Sequence, residues 1–278
     1  MPTSTKLNKR SPQWYGWLPD LPDHRDLFYS AVAPRLVSPP AKVDLRSKCS
    51  PVEDQGQLGS CTANALVGAL EFLEIKDGAP FADLSRLFVY YNERMIEGTV
   101  NQDSGAFIRD GIKSLNKLGV CTEVEWPYKI SRFTKKPTPA CYRSAKKHRI
   151  LSYHRISTVD EMRSCLAEGF PFVFGFTVYE AFESAAVAKS GVLNMPGPKE
   201  QVMGGHAVMG VGYDNAARRF VIRNSWGTDW GQKGYFTMPY AYVTSAQLAM
   251  DFWAIYAVEK DAQAKRRATH RARRARTN

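Results

Sequence analysis

Long hydrophobic runs are missing from the 278 residues: the longest, residues 170–179, is ten residues interrupted by Gly175 and Thr177. Crossing a bilayer takes roughly 18 such residues, so no transmembrane helix is available. Residues 1–14, MPTSTKLNKRSPQW, are basic but are not followed by an apolar segment, which a secretory signal requires. The expected location is therefore the cytoplasm, or outside the cell by a route other than a signal peptide. Cysteine is scarce, with five in the chain, and an odd count leaves at least one thiol unpaired. For Cys49, Cys121 and Cys141 the spacing leaves pairing open.

Acidic residues are also in the minority, 27 against 38 Lys and Arg, for a net charge of +11. Eight basic residues and one acidic residue fall in positions 260–278, so most of the basicity is a property of the tail. Such a tail reads as a solvated extension. Counterion release gives it weak affinity for nucleic acid or an anionic surface. The apolar fraction of 44% is enough to bury one large core or two modest ones.

Residues 1–41 hold seven of the sixteen prolines, which break helical and ladder patterns. This is read as an extended leader, a candidate short propeptide. Its aromatics Trp14, Tyr15, Trp17, Phe28 and Tyr29 predict that part of it lies against the body. Leu66, Leu70 and Leu73 recur at i, i+4 and i+7, predicting a buried helix over 62–74. Further helices are predicted over 84–97, 107–119 and 157–169, and strands over 170–179, 206–214, 219–225, 234–239 and 252–259. A helical part precedes a β part, with boundaries at 42–150 and 151–258 and the tail at 259–278. That order favours an α+β fold with two lobes over an alternating α/β one.

The segment Gln55-Gly56-Gln57-Leu58-Gly59-Ser60-Cys61 places Cys61 at the start of the buried helix. The unpaired N–H groups there favour a thiolate. The Cys61 N–H and the Gln55 side-chain amide are candidate donors to an oxyanion. Among five histidines, His206 is the best partner for the sulfur, because it opens the small-residue strand GGHAVMGVGYD, where another segment can approach closely. Asn224, in RNSWGTDWGQKGY, can hold the imidazole in one orientation, with Trp226 covering that hydrogen bond from water.

Taken together, GSC preceded by Gln, then HAVMGVGY, then NSWGTDWGQKGY resemble the papain-like cysteine peptidases, and more closely a bacterial branch of that family. The separation of 145 residues from Cys61 to His206 fits the resemblance, which extends over residues 42–258, with VDLRSKCSPVEDQG like a mature N-terminal segment. It implies a two-lobed α+β fold, with a helical lobe, an antiparallel β-barrel-like lobe and the active site in the cleft between them. It further implies Cys61 as nucleophile, His206 as general base and acid, Asn224 as orienter and Gln55 as oxyanion donor, with no metal and no cofactor. DSGAF, residues 103–107, looks like the substrate-binding glycine loop, with Gly105 hydrogen-bonding an extended peptide. Phe107, Gly205 and Trp226 are further candidate substrate contacts, and Met203 and Ala207 candidate pocket residues. The chain departs from the pattern at Leu58, where plant and animal members usually carry a disulfide cysteine, and at Thr62, where an aromatic usually follows the nucleophile. Its leader is also far shorter than the helical prodomain of lysosomal relatives.

The expected function is hydrolysis of peptide bonds through a thioester, by an endopeptidase acting on peptides or proteins, with the leader as a candidate ligand of its own cleft. Glycines 204 and 205 before His206 give no sign of a pocket for basic side chains. Two alternatives differ in kind: a thiol amidase or transpeptidase on the same scaffold, and a non-catalytic binding module with a nucleic-acid-binding tail. His148 and His154, among lysines and arginines, are expected at the surface.

Overall fold

The computed structural model describes residues 15–32 and 38–258. In chain order these form β1 (Trp17–Leu18), β2 (Lys42–Asp44), α1 (Cys61–Lys76), α2 (Arg86–Glu97), β3 (Ala106–Phe107), α3 (Ile108–Lys117) and α4 (Pro139–Ala145). There follow β4 (Ile150–Arg155), α5 (Val159–Ala167), β5 (Phe172–Tyr179), α6 (Ala185–Ser190), β6 (Val202–Asp214), β7 (Arg219–Arg223), β8 (Tyr235–Pro239), α7 (Tyr240–Val243) and β9 (Ala249–Val258). The basic tail lies outside the described residues. No described helix is long and apolar enough to cross a membrane.

Helix α1 is the axis of the molecule. Its residues from Cys61 to Glu74 are all buried, the apolar ones spread around the helix rather than along one stripe and the polar ones, Thr62, Asn64, Glu71 and Glu74, each hydrogen-bonded. It packs against α2 and α3 on one side and β6 on the other. Helix α2 starts on Ser85, whose Oγ accepts from the Phe88 N–H at 3.1 Å, and stops at Gly98, φ +74°, the left-handed stop that glycine favours. Helix α4 has no legible apolar period, but Thr138 caps it and Pro139 occupies its first turn.

The β part is a seven-stranded antiparallel sheet in the order β4-β9-β5-β6-β7-β8, with β2 joined to β6. This corrects the expected β-barrel-like lobe: β4 and β8 are the two ends of an open sheet and do not pair. Both ends are occupied by connecting chain. On β4, the Arg155 N–H donates to the Leu27 carbonyl at 2.7 Å, and Phe28 bridges Arg155. On β8, Thr237 bridges Val192, and its N–H donates to the Gly191 carbonyl at 2.7 Å. Edges protected in this way have no need of closure.

The leader lies on the body through residues 15–32. Tyr15, Trp17 and Tyr29 are buried in the core, and β1 pairs in parallel with β3. Beyond β1, an ionic cluster holds it. The Asp20 N–H donates to Asp251 at 2.7 Å, and Asp20 accepts from the Trp253 indole at 3.0 Å and the Arg109 N–H at 3.1 Å. Asp26 takes a two-pronged contact from the Arg109 guanidinium at 3.0 and 2.7 Å, while Arg155 pairs with Asp251 at 2.7 Å.

His148 and His154 are buried rather than exposed. His148 Nδ1 meets Glu74 at 2.8 Å across the helical layer. His154 sits on β4, a strand the sequence reading passed over, with its ring edge-on to Tyr256. A basic neighbourhood in sequence is no guide when strand alternation sends adjacent side chains to opposite faces.

Candidate active site

Cys61 is the first residue of α1, reached by the Gln55–Ser60 turn. Gly56, at φ +58°, makes the turn possible. The turn is tied down from several directions. The Tyr128 hydroxyl donates to the Gln55 carbonyl at 2.9 Å, and Ser60 Oγ lies 2.5 Å from the same hydroxyl. The Asn64 amide reaches back to the Ser60 carbonyl at 2.9 Å.

From the opposite side, β6 brings His206. The Ala207 N–H, one residue further along β6, donates to Cys61 Sγ at 3.3 Å. His206 Nε2 lies 2.8 Å from Asn224 Oδ1, and the Ser225 N–H donates to the same oxygen at 2.9 Å. An oxygen already accepting from Ser225 requires Nε2 to carry the hydrogen. Trp226 lies 5.1 Å from the His206 ring, centre to centre, and Phe176 and Phe182 pack around it. Gln55 closes the group: its Oε1 accepts from Ser225 Oγ at 2.6 Å, and its Nε2 donates to the Leu58 carbonyl at 2.9 Å. Cys61, His206, Asn224 and Gln55 are thus assembled from three distant parts of the chain.

In this arrangement the surroundings of Cys61 disfavour its thiolate form. Burial pushes its pKa up to about 12, the Ala207 and Gly16 N–H groups work in the opposite direction, and the Glu93 carboxyl adds to the rise. Desolvation outweighs the helix N-terminus because Cys61 is completely shielded from solvent. Glu93 is itself buried, with burial and the neighbouring Glu97 charge holding its carboxyl well above the usual range. It accepts from Thr62 Oγ1 at 2.9 Å. Thr62, in the place of a customary aromatic, therefore makes a polar contact with α2.

The shield over Cys61 is the leader. The Gly16 carbonyl accepts from the Ala106 N–H at 2.7 Å. Glycine 105, at φ +72°, runs so close that a Cβ there would lie 2.3 Å from the Gly16 carbonyl oxygen, and one on Gly205 would lie 2.6 Å from the Trp17 carbonyl oxygen. Tyr15 stands edge-on to His206 at 6.2 Å. Of the other candidate contacts, Phe107 is half-buried and donates its N–H to Glu97 at 2.9 Å. It faces a cavity of about 220 Å³ between leader residues Leu21–Asp23 and the start of α3. Met203 is half-buried and Ala207 buried. The sequence reading missed Tyr90, Tyr128 and Ser225, which have no spacing signature. It quoted Asp103 without giving it a task. Among the described residues, no His, Cys, Asp and Glu cluster could hold a metal ion.

A two-lobed α+β body, with a helix-borne thiol hydrogen-bonded to the strand that carries an imidazole paired to an amide, defines the class of thiol hydrolases with a cleft between lobes. Residues 39–255 match the papain family of cysteine proteases, and the chain belongs to that family. It is similar to xylellain, a cysteine protease from Xylella fastidiosa, at 46% identity and a TM-score of 0.82, over 91% of this chain and 99% of that one. An uncharacterized peptidase C1-like protein of Acanthamoeba polyphaga mimivirus is 48% identical over 215 residues, 74% of this chain and 69% of its own. The bromelain protease of Ananas comosus shares the fold, with a TM-score of 0.59 at 24% identity over 77% of this chain and 97% of that one. The protein is a cysteine-type peptidase, a hydrolase acting on peptide or protein substrates.

Proposed function

We propose that Cys61, His206, Asn224 and Gln55 carry the peptidase reaction, and that the leader holds their cleft shut. The observation that supports this most directly is the meeting of the Cys61 sulfur with the His206 strand, through the Ala207 N–H at 3.3 Å, beside an imidazole held by Asn224 at 2.8 Å. With Nε2 committed to Asn224, Nδ1 takes the thiol proton. The sulfur attacks the scissile carbonyl carbon, forming a C–S bond while the carbonyl electron pair moves to oxygen. The Cys61 N–H and the Gln55 side-chain amide stabilise that oxyanion. Collapse breaks the C–N bond, with His206 protonating the departing amine. His206 then takes a proton from water, which cleaves the thioester and restores the thiol.

The leader reading rests on Gly16 and Trp17 lying where an extended peptide would run beside Gly105 and Gly205. The Gly16 N–H hydrogen-bonds to the sulfur, in keeping with the leader acting as a plug. The tail at 259–278 adds weak, salt-sensitive attachment to nucleic acid or an anionic surface, which a salt titration of retention on immobilised polyanion would test. The assignment of roles is tested with a thiol-directed epoxide. With the leader lifted by Gly16→Ala, it should modify Cys61 alone and abolish hydrolysis of a fluorogenic dipeptide amide. Undiminished turnover by Cys61→Ala would refute it.

A further inference from the structure

The turn that carries the nucleophile has Leu58 where many relatives have a cysteine, and a different device holds it. The Gly59 N–H donates to both carboxylate oxygens of Asp103, at 3.0 and 3.1 Å. The Tyr90 hydroxyl donates to Asp103 Oδ1, and in turn accepts from the Gly105 N–H at 3.2 Å. Gly59 and Gly105 are therefore linked through one carboxylate and one phenol.

What stands between them is a single strand of backbone. A Cβ on Gly16 would lie 1.6 Å from the Gly59 carbonyl oxygen, and one on Gly105 would lie 2.3 Å from the Gly16 carbonyl oxygen. The two glycines are the walls of a slot wide enough for one extended chain. Gly59 is two residues from Cys61, whose N–H serves the oxyanion, so the wall and the reacting centre move together.

The link is anchored from behind by a buried cation. Arg94 is fully buried and lies 4.1 Å from the centre of the Tyr90 ring. It donates to the Val100 and Gln102 carbonyls at 2.9 Å each and to the Phe133 carbonyl at 2.6 Å. Loop 99–105 is thereby pinned to α2, and a positive charge stands near the Asp103 carboxylate. Burial and the Asp103 charge both push the Tyr90 phenol up, so Tyr90 remains a donor to Asp103 at any working pH.

We propose that Asp103 and Tyr90 are positioning residues of the peptidase: together they set the width of the peptide slot and its register with the nucleophile turn, without touching substrate. The proposal rests on the assignment of Cys61 as nucleophile, and its test keeps the two separable. In the full chain, Asp103→Ala should speed hydrogen exchange of the Gly59 amide at least tenfold, and Tyr90→Phe that of the Gly105 amide. Neither measurement depends on catalysis.

With Gly16→Ala added to both parent and variant to lift the leader from the slot, kcat/KM for extended peptide amides should fall about 10²-fold on introducing Asp103→Ala, the scale expected when reacting groups shift by about 1 Å. Alkylation of Cys61 by iodoacetamide in that background, which needs access to the sulfur but not the slot, should change less than threefold. Asp103→Asn keeps an acceptor oxygen and should recover to within fivefold of the parent. Tyr90→Phe should raise KM more than it lowers kcat. Unchanged exchange at Gly59 in Asp103→Ala would overturn the proposal, as would a parallel loss of turnover, alkylation and Tm. If Asp103→Ala does not fold, an unchanged KM and unchanged Gly105 exchange in Tyr90→Phe would do the same. A Gly16→Ala chain inactive on every peptide, with exchange rates behaving as stated, would count against the nucleophile assignment and leave the clasp standing.

Discussion

Gly16 of the leader and Gly59 of the nucleophile turn are in backbone contact, so that a methyl group on Gly16 would lie 1.6 Å from the Gly59 carbonyl oxygen. No side-chain rotation can relieve a clash between a Cβ and backbone. Gly16→Ala should therefore lift the leader out of the cleft while leaving the body folded. Peptide hydrolysis by this variant should exceed that of the parent, in initial rates at equal Tm. Equal rates would mean that the leader does not limit access.

The catalytic assignments predict unequal losses. Gln55→Ala removes one of two oxyanion donors and should lower kcat by roughly 10²–10³. Cys61→Ala should leave no turnover above background. Steady-state rates on one fluorogenic amide decide the ranking, and a Gln55→Ala enzyme with parental kcat would remove Gln55 from the mechanism.

The leader should be held more tightly in acid than at neutral pH. Burial, and next the charge of Asp251, raise the Asp20 pKa from 3.8 to about 6, and Asp251 is raised by burial as well. Arg109, Arg155 and Asp26 face the same cluster, and Glu97 lies within electrostatic range. Docking thus takes up a proton. Its contribution is complete below about pH 4, the value for a free aspartate, and is lost as pH rises through about 6. Limited proteolysis of the leader should be slower at pH 5 than at pH 7.5, and Asp20→Asn should flatten the difference. A steeper dependence in Asp20→Asn would point to another group.

Arg86 and Glu71 form a buried ion pair at 2.8 Å, with Glu71 also accepting from Ser50 Oγ at 2.6 Å and the Leu84 N–H at 3.0 Å. Removing one partner leaves a buried charge unmatched, at a cost of about 3–5 kcal/mol. Arg86→Ala should lower the stability measured by denaturant unfolding by that order, and the Arg86→Ala/Glu71→Gln double variant should regain part of it. A loss below about 1 kcal/mol would show that water reaches Glu71.

Much of the site was legible because its chemistry depends on local rules. A thiol at a helix start needs glycines before it, and 55–61 supply them; a histidine on a strand that must admit another chain needs small neighbours, and 204–206 supply those. Helices α1, α2 and α3 followed from period and punctuation within two residues at most ends. Helix α4 and strand β4 did not: α4 is too short to show a period, β4 (Ile150–Arg155) has no clean alternation of buried and exposed residues, and each is held by contacts with distant chain. The expected barrel failed for a similar reason: whether a sheet closes depends on what covers its edges, and residues 27–28 and 191–193 bear no mark of that task.

By itself the chain of residues determined which groups can react: a cysteine, a histidine and two amides of suitable type, in an order and local setting that restrict their use. Tertiary structure alone decided the state of that chemistry. The raised pKa of the Cys61 thiol follows from burial under the leader laid across it, the link from Gly59 through Asp103 and Tyr90 to Gly105 follows from a loop folded against a turn, and the open sheet follows from covered edges. Desolvation and hydrogen-bond geometry depend on distances between segments remote in sequence, and the identity of the neighbours along the chain does not encode those distances.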